Sequence, residues 1–305
     1  MHITKIAACV FAAALGAATF MAPGQAKSDT QWTGGGTSAV YKNVPPDQIE
    51  FLSTPDRIIS STTSGSASQI WETLEHAEAV ECGSCIGAVE PLLYNNDKEI
   101  REISAWWLRR RTFGVFGPGE VYERTVKTLG TDPNPQKRAY AAYALGEFLT
   151  SAGVEPLAAA ATGDASPEVR AAAVSGLGRI NDDGGGAIGK AMADTDASVR
   201  LSAIKAAAKV NGFNDSGAVA KLMGDTSPLV RKNGIELLES FRVKDAVQSL
   251  IAIARNDTDA DVRLAACHAL GVLGDNSARS TLEAILQTDS SSLVRDQAQI
   301  ALRRI

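Results

Sequence analysis

Polar and apolar positions recur along this chain in one fixed order. An aspartate is followed two residues later by a small polar residue, then three further by valine with arginine directly behind it. A small residue stands three after the arginine, and usually leucine seven after it. Aligned on the arginine, the copies fall at Arg138, Arg170, Arg200, Arg231, Arg263 and Arg295, and their aspartates are Asp132, Asp164, Asp194, Asp225, Asp257 and Asp289. Positions −1, +3 and +7 share one face of a helix. At +3 stand Ala141, Ala173, Ala203, Gly234, Ala266 and Ala298, and at +7 Leu145, Leu177, Ala207, Leu238, Leu270 and Leu302. Asn134, Ser166, Asp196, Ser227, Asp259 and Ser291 are placed to accept a hydrogen bond from the first turn. Pro135, Pro167 and Pro228 follow where proline presets the helical angle. Each copy is therefore predicted to be a helix. A second apolar stretch precedes each aspartate, giving first helices over Glu120–Leu129, Val154–Ala161, Ala187–Ala193, Ala218–Met223, Ala246–Ala254 and Ala278–Leu286. The copies are 30 to 32 residues apart. One helix pair per such period reads as a solenoid, and the small +3 residue is expected to let neighbouring helices approach closely.

The aspartate-to-arginine spacing of six, with valine before the arginine, resembles the HEAT repeat. The alanine-rich form with a period near 31 is similar to its phycobilisome-lyase-like branch. The resemblance implies an all-α, right-handed α-solenoid of about seven HEAT-like helix pairs over residues 67–305. It also implies that the six aspartates and six arginines form a structural ladder between successive repeats. An earlier copy carries Asn95 for the aspartate, Asp97 as cap, then Ile100, Arg101, Ser104 and Leu108, with a longer spacing of 37 residues before Arg138.

Ahead of the repeats the pattern changes. Lys5, the apolar run Ile6–Met21 and Gly24-Gln25-Ala26 read as a cleavable signal peptide over residues 1–26. The protein is therefore expected to be exported, periplasmic or secreted. Residues 27–66, with Gly34-Gly35-Gly36, Pro45-Pro46 and a Ser/Thr run up to Ser66, read as a flexible linker. Ser68 is expected to cap a helix containing Ile70, Trp71 and Leu74, followed by another over Ser84–Leu93.

Charge narrows the partners. A net charge of −5 and a pI near 5.4 argue against nucleic acid, which calls for a basic footprint, and against an anionic membrane surface. No stretch is long and apolar enough for membrane insertion. Cofactors and metals are not expected: two cysteines cannot complete a tetrahedral zinc site, and no His-Glu pair of the kind that binds iron in the HEAT-like deoxyhypusine hydroxylases occurs. Gly184–Lys190 fits a glycine-rich phosphate loop by spacing, but a helix and not a strand is predicted before it. Cys82 and Cys85 can close a local disulfide in an oxidising compartment; the alternative is a thiol-redox factor or enzyme built on that pair. Cys267 falls on the core face.

What remains is the outward face of the second helices, at +2, +5 and +9. It carries Ile103, Trp106, Arg110, Tyr140, Tyr143 and Glu147 in the first two copies, and Ala172, Ser175, Arg179, Ser202, Lys205 and Lys209 in the next two. Aromatic side chains beside arginine are the residue types that anchor protein interfaces. The expectation is an exported, non-catalytic scaffold binding a protein or peptide partner on its concave face through Trp106, Arg110, Tyr140 and Tyr143.

Overall fold

The computed structural model describes residues 54–305 except 79, 81, 112, 115 and 116. The expected signal peptide, and the linker as far as residue 53, lie outside the described residues. Seven helix pairs run in sequence: α3 (Gly83–Val89, extended by a 3-10 turn, Glu90–Tyr94) with α4 (Lys98–Arg109), α5 (Glu120–Thr131) with α6 (Pro135–Glu147), α7 (Val154–Gly163) with α8 (Pro167–Ile180), α9 (Gly185–Ala191) with α10 (Ala197–Ala207), α11 (Ser216–Lys221) with α12 (Pro228–Ser240), α13 (Val247–Asn256) with α14 (Ala260–Leu273), and α15 (Arg279–Thr288) with α16 (Ser292–Leu302). They form a right-handed α-solenoid. A two-residue antiparallel ladder, Phe113–Gly114 against Gly117–Pro118, occupies the long connection between the first two pairs.

The core follows the recurring apolar face. Val169, Val199, Val230, Val262 and Val294 are fully buried, as are the small residues Ala141, Ala173, Ala203, Ala266 and Ala298 three positions after each arginine. At Gly234 a Cβ would lie 2.9 Å from the Cβ of Leu222, in the first half of the same pair. The +3 residue there keeps the two halves of one repeat together.

Different small residues bring successive repeats together. A Cβ on Gly146 would stand 2.6 Å from the Cα of Gly176, and one on Gly178 or Gly271 would stand 2.8 Å from the Cα of Ala206 or Ala301. These are contacts between a residue eight after one arginine and a residue six after the next. The second helices α4, α6, α8, α10, α12, α14 and α16 thus pack each on the next, more closely than the first helices do. The more closely spaced layer of a curved stack is the inner one, so the second helices line the concave side. Between α10 and α12 the matching residues are Ala208 and Leu237, and packing is looser.

The N-terminal boundary differs from the expected one. Residues 55–64, read as linker, form a helix, α1 (Pro55–Ser64), capped by Thr54 with Ile58 fully buried beneath it. The next helix, α2 (Ala67–His76), is capped by Ser66 in a capping box with Gln69, two residues before the predicted Ser68. Helix α1 packs on α3 and α2 on α4, so this pair extends both layers by one step. Trp107 is fully buried there and donates from Nε1 to the Ala77 carbonyl at 2.9 Å.

Candidate functional site

The ladder is built from one arginine geometry repeated. Arg200 donates from Nε and Nη2 to both carboxylate oxygens of Asp225, at 2.6 and 2.8 Å. Its Nη1 turns back to the main-chain carbonyl of Asp194, at 2.7 Å. Arg138, Arg170, Arg231 and Arg263 repeat this with Asp164, Asp194, Asp257 and Asp289. Each arginine therefore grips the carboxylate of the following repeat and the carbonyl, not the carboxylate, of its own aspartate. The same carboxylate accepts the N–H two residues on, as Asp225 does from Ser227 at 2.8 Å. That bond orders the turn into each second helix. Asn134, Asp196 and Asp259 also cap with their side chains, whereas Ser166, Ser227 and Ser291 make no side-chain cap bond.

The ladder's ends depart from this. Arg101 makes no ion pair with Asp132 among the described residues; it bonds the Asn95 and Asn96 carbonyls and lies 3.9 Å above the Tyr140 ring. Arg295 holds the Asp289 carbonyl at 2.6 Å and enters no ion pair among the described residues.

Arginine hydrogen bonds hold the carboxyl groups of Asp164, Asp194 and Asp289 below the ordinary range, against the opposing effect of burial. At Asp225 and Asp257 burial is the largest influence and pushes upward. It is outweighed by the arginine together with a main-chain N–H, so these carboxyls are lowered too.

Cys82 and Cys85 are joined in a disulfide at the start of α3, and both are buried. A buried bridge offers no thiolate to a substrate, which disfavours the redox alternative. Burial pushes the Cys267 thiol up to about 12. The glycine run 184–186 starts α9 directly after α8 and an intervening turn; no strand aims it at a phosphate. No group of three or more His, Cys, Asp or Glu among the described residues could hold a metal ion. No described helix is long and apolar enough to cross a membrane.

The predicted surface residues differ in exposure and in partners. Trp106, Tyr140 and Tyr143 are half-buried. Ile103, expected outward, is buried because α2 packs over α4. Arg110 is exposed and paired with Glu78 at 2.8 Å, so it is engaged with the N-terminal pair. Tyr140 accepts at its hydroxyl from Gln136 at 2.8 Å while its face carries Arg101. Tyr143 lies beside Glu147, and burial first, then that carboxylate, pushes its hydroxyl pKa well up. Glu147, also expected outward, is buried and forms an ion pair with Arg179.

A cleft does open on this layer, shifted towards the third and fourth repeats. It measures about 150 Å³ and is lined by Tyr143 from α6, Ser175, Gly176 and Arg179 from α8, and Ser202, Lys205, Ala206 and Lys209 from α10 and its end. Lys205 and Lys209 are exposed and enter no ion pair among the described residues. The signal for this cleft was present in the sequence as basic residues at +5 and +9 in adjacent copies. The small residue Gly176, which lets α6 and α8 close up beside it, was not recognised. Beyond the cleft the layer turns acidic, with Glu236 exposed and Glu239 held to His268 at 2.8 Å.

Paired helices in two layers, tied forward by arginine–aspartate bridges, define an α-solenoid of a kind commonly used for protein interaction. The chain belongs to the HEAT-repeat family, whose model matches residues 122–187 and 216–303. Among solved structures it is similar to YibA of Escherichia coli, with 16% identity and a TM-score of 0.56 over 90% of this chain and 100% of that one. It is also similar to yeast importin-β, with 13% identity and a TM-score of 0.56 over 83% of this chain and 40% of that one. Human deoxyhypusine hydroxylase, at 18% identity and a TM-score of 0.36, is too loosely alike to bear on function. At these identities the likenesses speak for the fold alone. No curated protein matches the chain.

Proposed function

We propose that this protein is an exported, non-catalytic scaffold that holds a protein or peptide partner on its concave face. The observation that carries the reading is the cleft formed by three consecutive second helices, lined by Tyr143 of α6, by Arg179 of α8, and by Lys205 and Lys209 of α10 and its end. Its lining consists of groups suited to recognition: an aromatic ring, hydroxyls, an arginine and two lysines. The HEAT-repeat solenoid is an architecture commonly used for protein interaction, which is consistent with this reading. Export is supported by the leader-like residues 5–26 and by the disulfide, a bond that persists in oxidising compartments. The alanine-rich period near 31 supports the phycobilisome-lyase-like branch as the subtype.

The test is capture of the partner by affinity purification from the exported fraction with crosslinking. Tyr143→Ala is expected to weaken capture by about 2 kcal/mol or more while leaving helical content unchanged. Glu236→Ala, at the equivalent position three repeats on, is expected to change neither. Capture that survives Tyr143→Ala unaltered removes the cleft as the binding site.

A further inference from the structure

Charge is unevenly distributed over the inner layer. The chain as a whole is acidic, at −5, yet its concave cleft gathers Arg179, Lys205 and Lys209 around two serine hydroxyls, Ser175 and Ser202. Of the carboxylates near the cleft, Glu147 is buried and already paired with Arg179, and Glu102 lies on the aromatic side, where it acts on Tyr143. The two lysines are left over: exposed, in no ion pair among the described residues, and lining the same cleft, Lys205 from α10 and Lys209 from the turn just behind it. Ser202 stands on α10 with Lys205. A cleft of about 150 Å³ is too small for a folded domain and suits a single side chain of an extended segment.

The flanks differ on either side. Towards the N-terminal end stand the half-buried rings of Tyr143, Tyr140 and Trp106, with Arg101 already lying on Tyr140. Towards the C-terminal end stand Glu236 and Glu239. From α4 to α14 the groove therefore runs aromatic, basic, acidic.

From this order we infer that the groove binds an extended acidic peptide whose Asp or Glu side chain sits between Arg179, Lys205 and Lys209, and whose apolar residue lies over Tyr140 and Trp106. The inference rests on the concave-face reading above and names the chemistry of the partner. Two helix spacings of about 9 Å separate α6 from α10, and an extended chain covers about 3.3 Å per residue, so the apolar and acidic residues should stand about five or six positions apart. Acidic residues placed further on, over Glu236, would be repelled. The peptide's acidic segment is therefore expected to be short.

Fluorescence anisotropy with labelled synthetic peptides tests this on the full folded chain. The probe carries Trp and, about six residues on, two glutamates in a Gly-Ser background; its counterparts carry glutamine or phosphoserine in place of glutamate. The glutamate peptide should bind about tenfold more tightly than the glutamine peptide, and more weakly as salt rises from about 0.05 to about 0.5 M. The double variant Lys205→Glu/Lys209→Glu should lose about tenfold or more, since both lysines are exposed and can be reversed without touching the core. Lys190→Glu/Lys221→Glu, an equal change of net charge on exposed residues of the first-helix layer, should shift affinity less than about twofold. Equal binding of the glutamate and glutamine peptides overturns the inference, and so do equal losses in the two double variants or no binding of the glutamate peptide. Binding of the phosphoserine peptide alone also overturns it, in favour of a phosphorylated partner. If the native partner's capture depends on Tyr143 but not on Lys205 and Lys209, the scaffold reading stands and this inference fails.

Discussion

Each paired ladder arginine is fixed by three bonds that no other residue could make at once. The planar guanidinium meets a carboxylate ahead with two parallel bonds and a carbonyl behind with a third. Lysine, a single point charge, cannot reproduce the fork. In Arg200 and Asp225 both side chains are almost fully buried, at 11% and 8% exposure, so breaking the pair from one side strands a charge. Arg200→Ala is expected to cost up to roughly 3–5 kcal/mol. Lys205→Ala, on the exposed face, should stay within about 0.5 kcal/mol. Thermal or urea denaturation of the two variants checks this, and similar losses in both would speak against a structural ladder. The six-residue spacing made these arginines legible in the sequence because it recurs at one register. Their partners were only half legible: spacing says that an aspartate lies near, and only packing shows that the carboxylate belongs to the next repeat while the carbonyl belongs to the arginine's own.

Helices were readable where a cap, a proline and an apolar stripe coincided, and α1 shows what defeats that reading. Its sequence has Thr54, Pro55 and Asp56 in the order expected of a helix start, but its body is mostly serine and threonine. Those hydroxyls bond back to carbonyls three or four residues earlier, as Ser61 does to Ile58 at 2.8 Å and Ser64 to Ser60 at 3.0 Å. Such bonds satisfy the hydroxyls within the helix, and one buried isoleucine anchors the segment. Composition alone therefore suggested a linker. Ile58→Ala is expected to destabilise the N-terminal pair by about 2–5 kcal/mol, and Ile59→Ala, largely exposed, by less than about 0.5 kcal/mol. Fluorescence of Trp107, which lies beneath the end of α2, reports the unfolding. Helix ends were less legible than starts. Four second helices close with a left-handed residue, at Leu149, Asn181, Arg242 and Gly274, and of these only the asparagine and the glycine advertise that conformation.

Across the whole molecule the ladder links stability to acidity. The carboxyls of Asp164, Asp194, Asp225, Asp257 and Asp289 are all held below the ordinary carboxylate range in the folded chain. A lowered folded-state value means the stabilisation is complete above the unfolded value and is lost as pH falls through the folded one. Stability should therefore stay nearly level from about pH 7 to about pH 5 and fall steeply below about pH 4. Circular-dichroism melts across that range check it; a loss already setting in near pH 6 would assign control to a histidine. The same scale explains why the candidate site was only partly legible. Outwardness at +2 and +9 holds for an isolated helix, but α2 covers Ile103, and the close approach of α6 to α8 at Gly146 and Gly176 draws Glu147 under Arg179.

The bridges also have a direction. The five paired ladder arginines all reach towards the C-terminus, each to the carboxylate of the repeat that follows. A chain that folds from its amino end, as one does when emerging from a ribosome or threading through a membrane channel, carries a waiting guanidinium at its growing tip. Each new aspartate to arrive discharges that tip and sets up the next. The bridges thus give the stack a polarity as well as a shape, with the guanidinium always facing the repeat that follows.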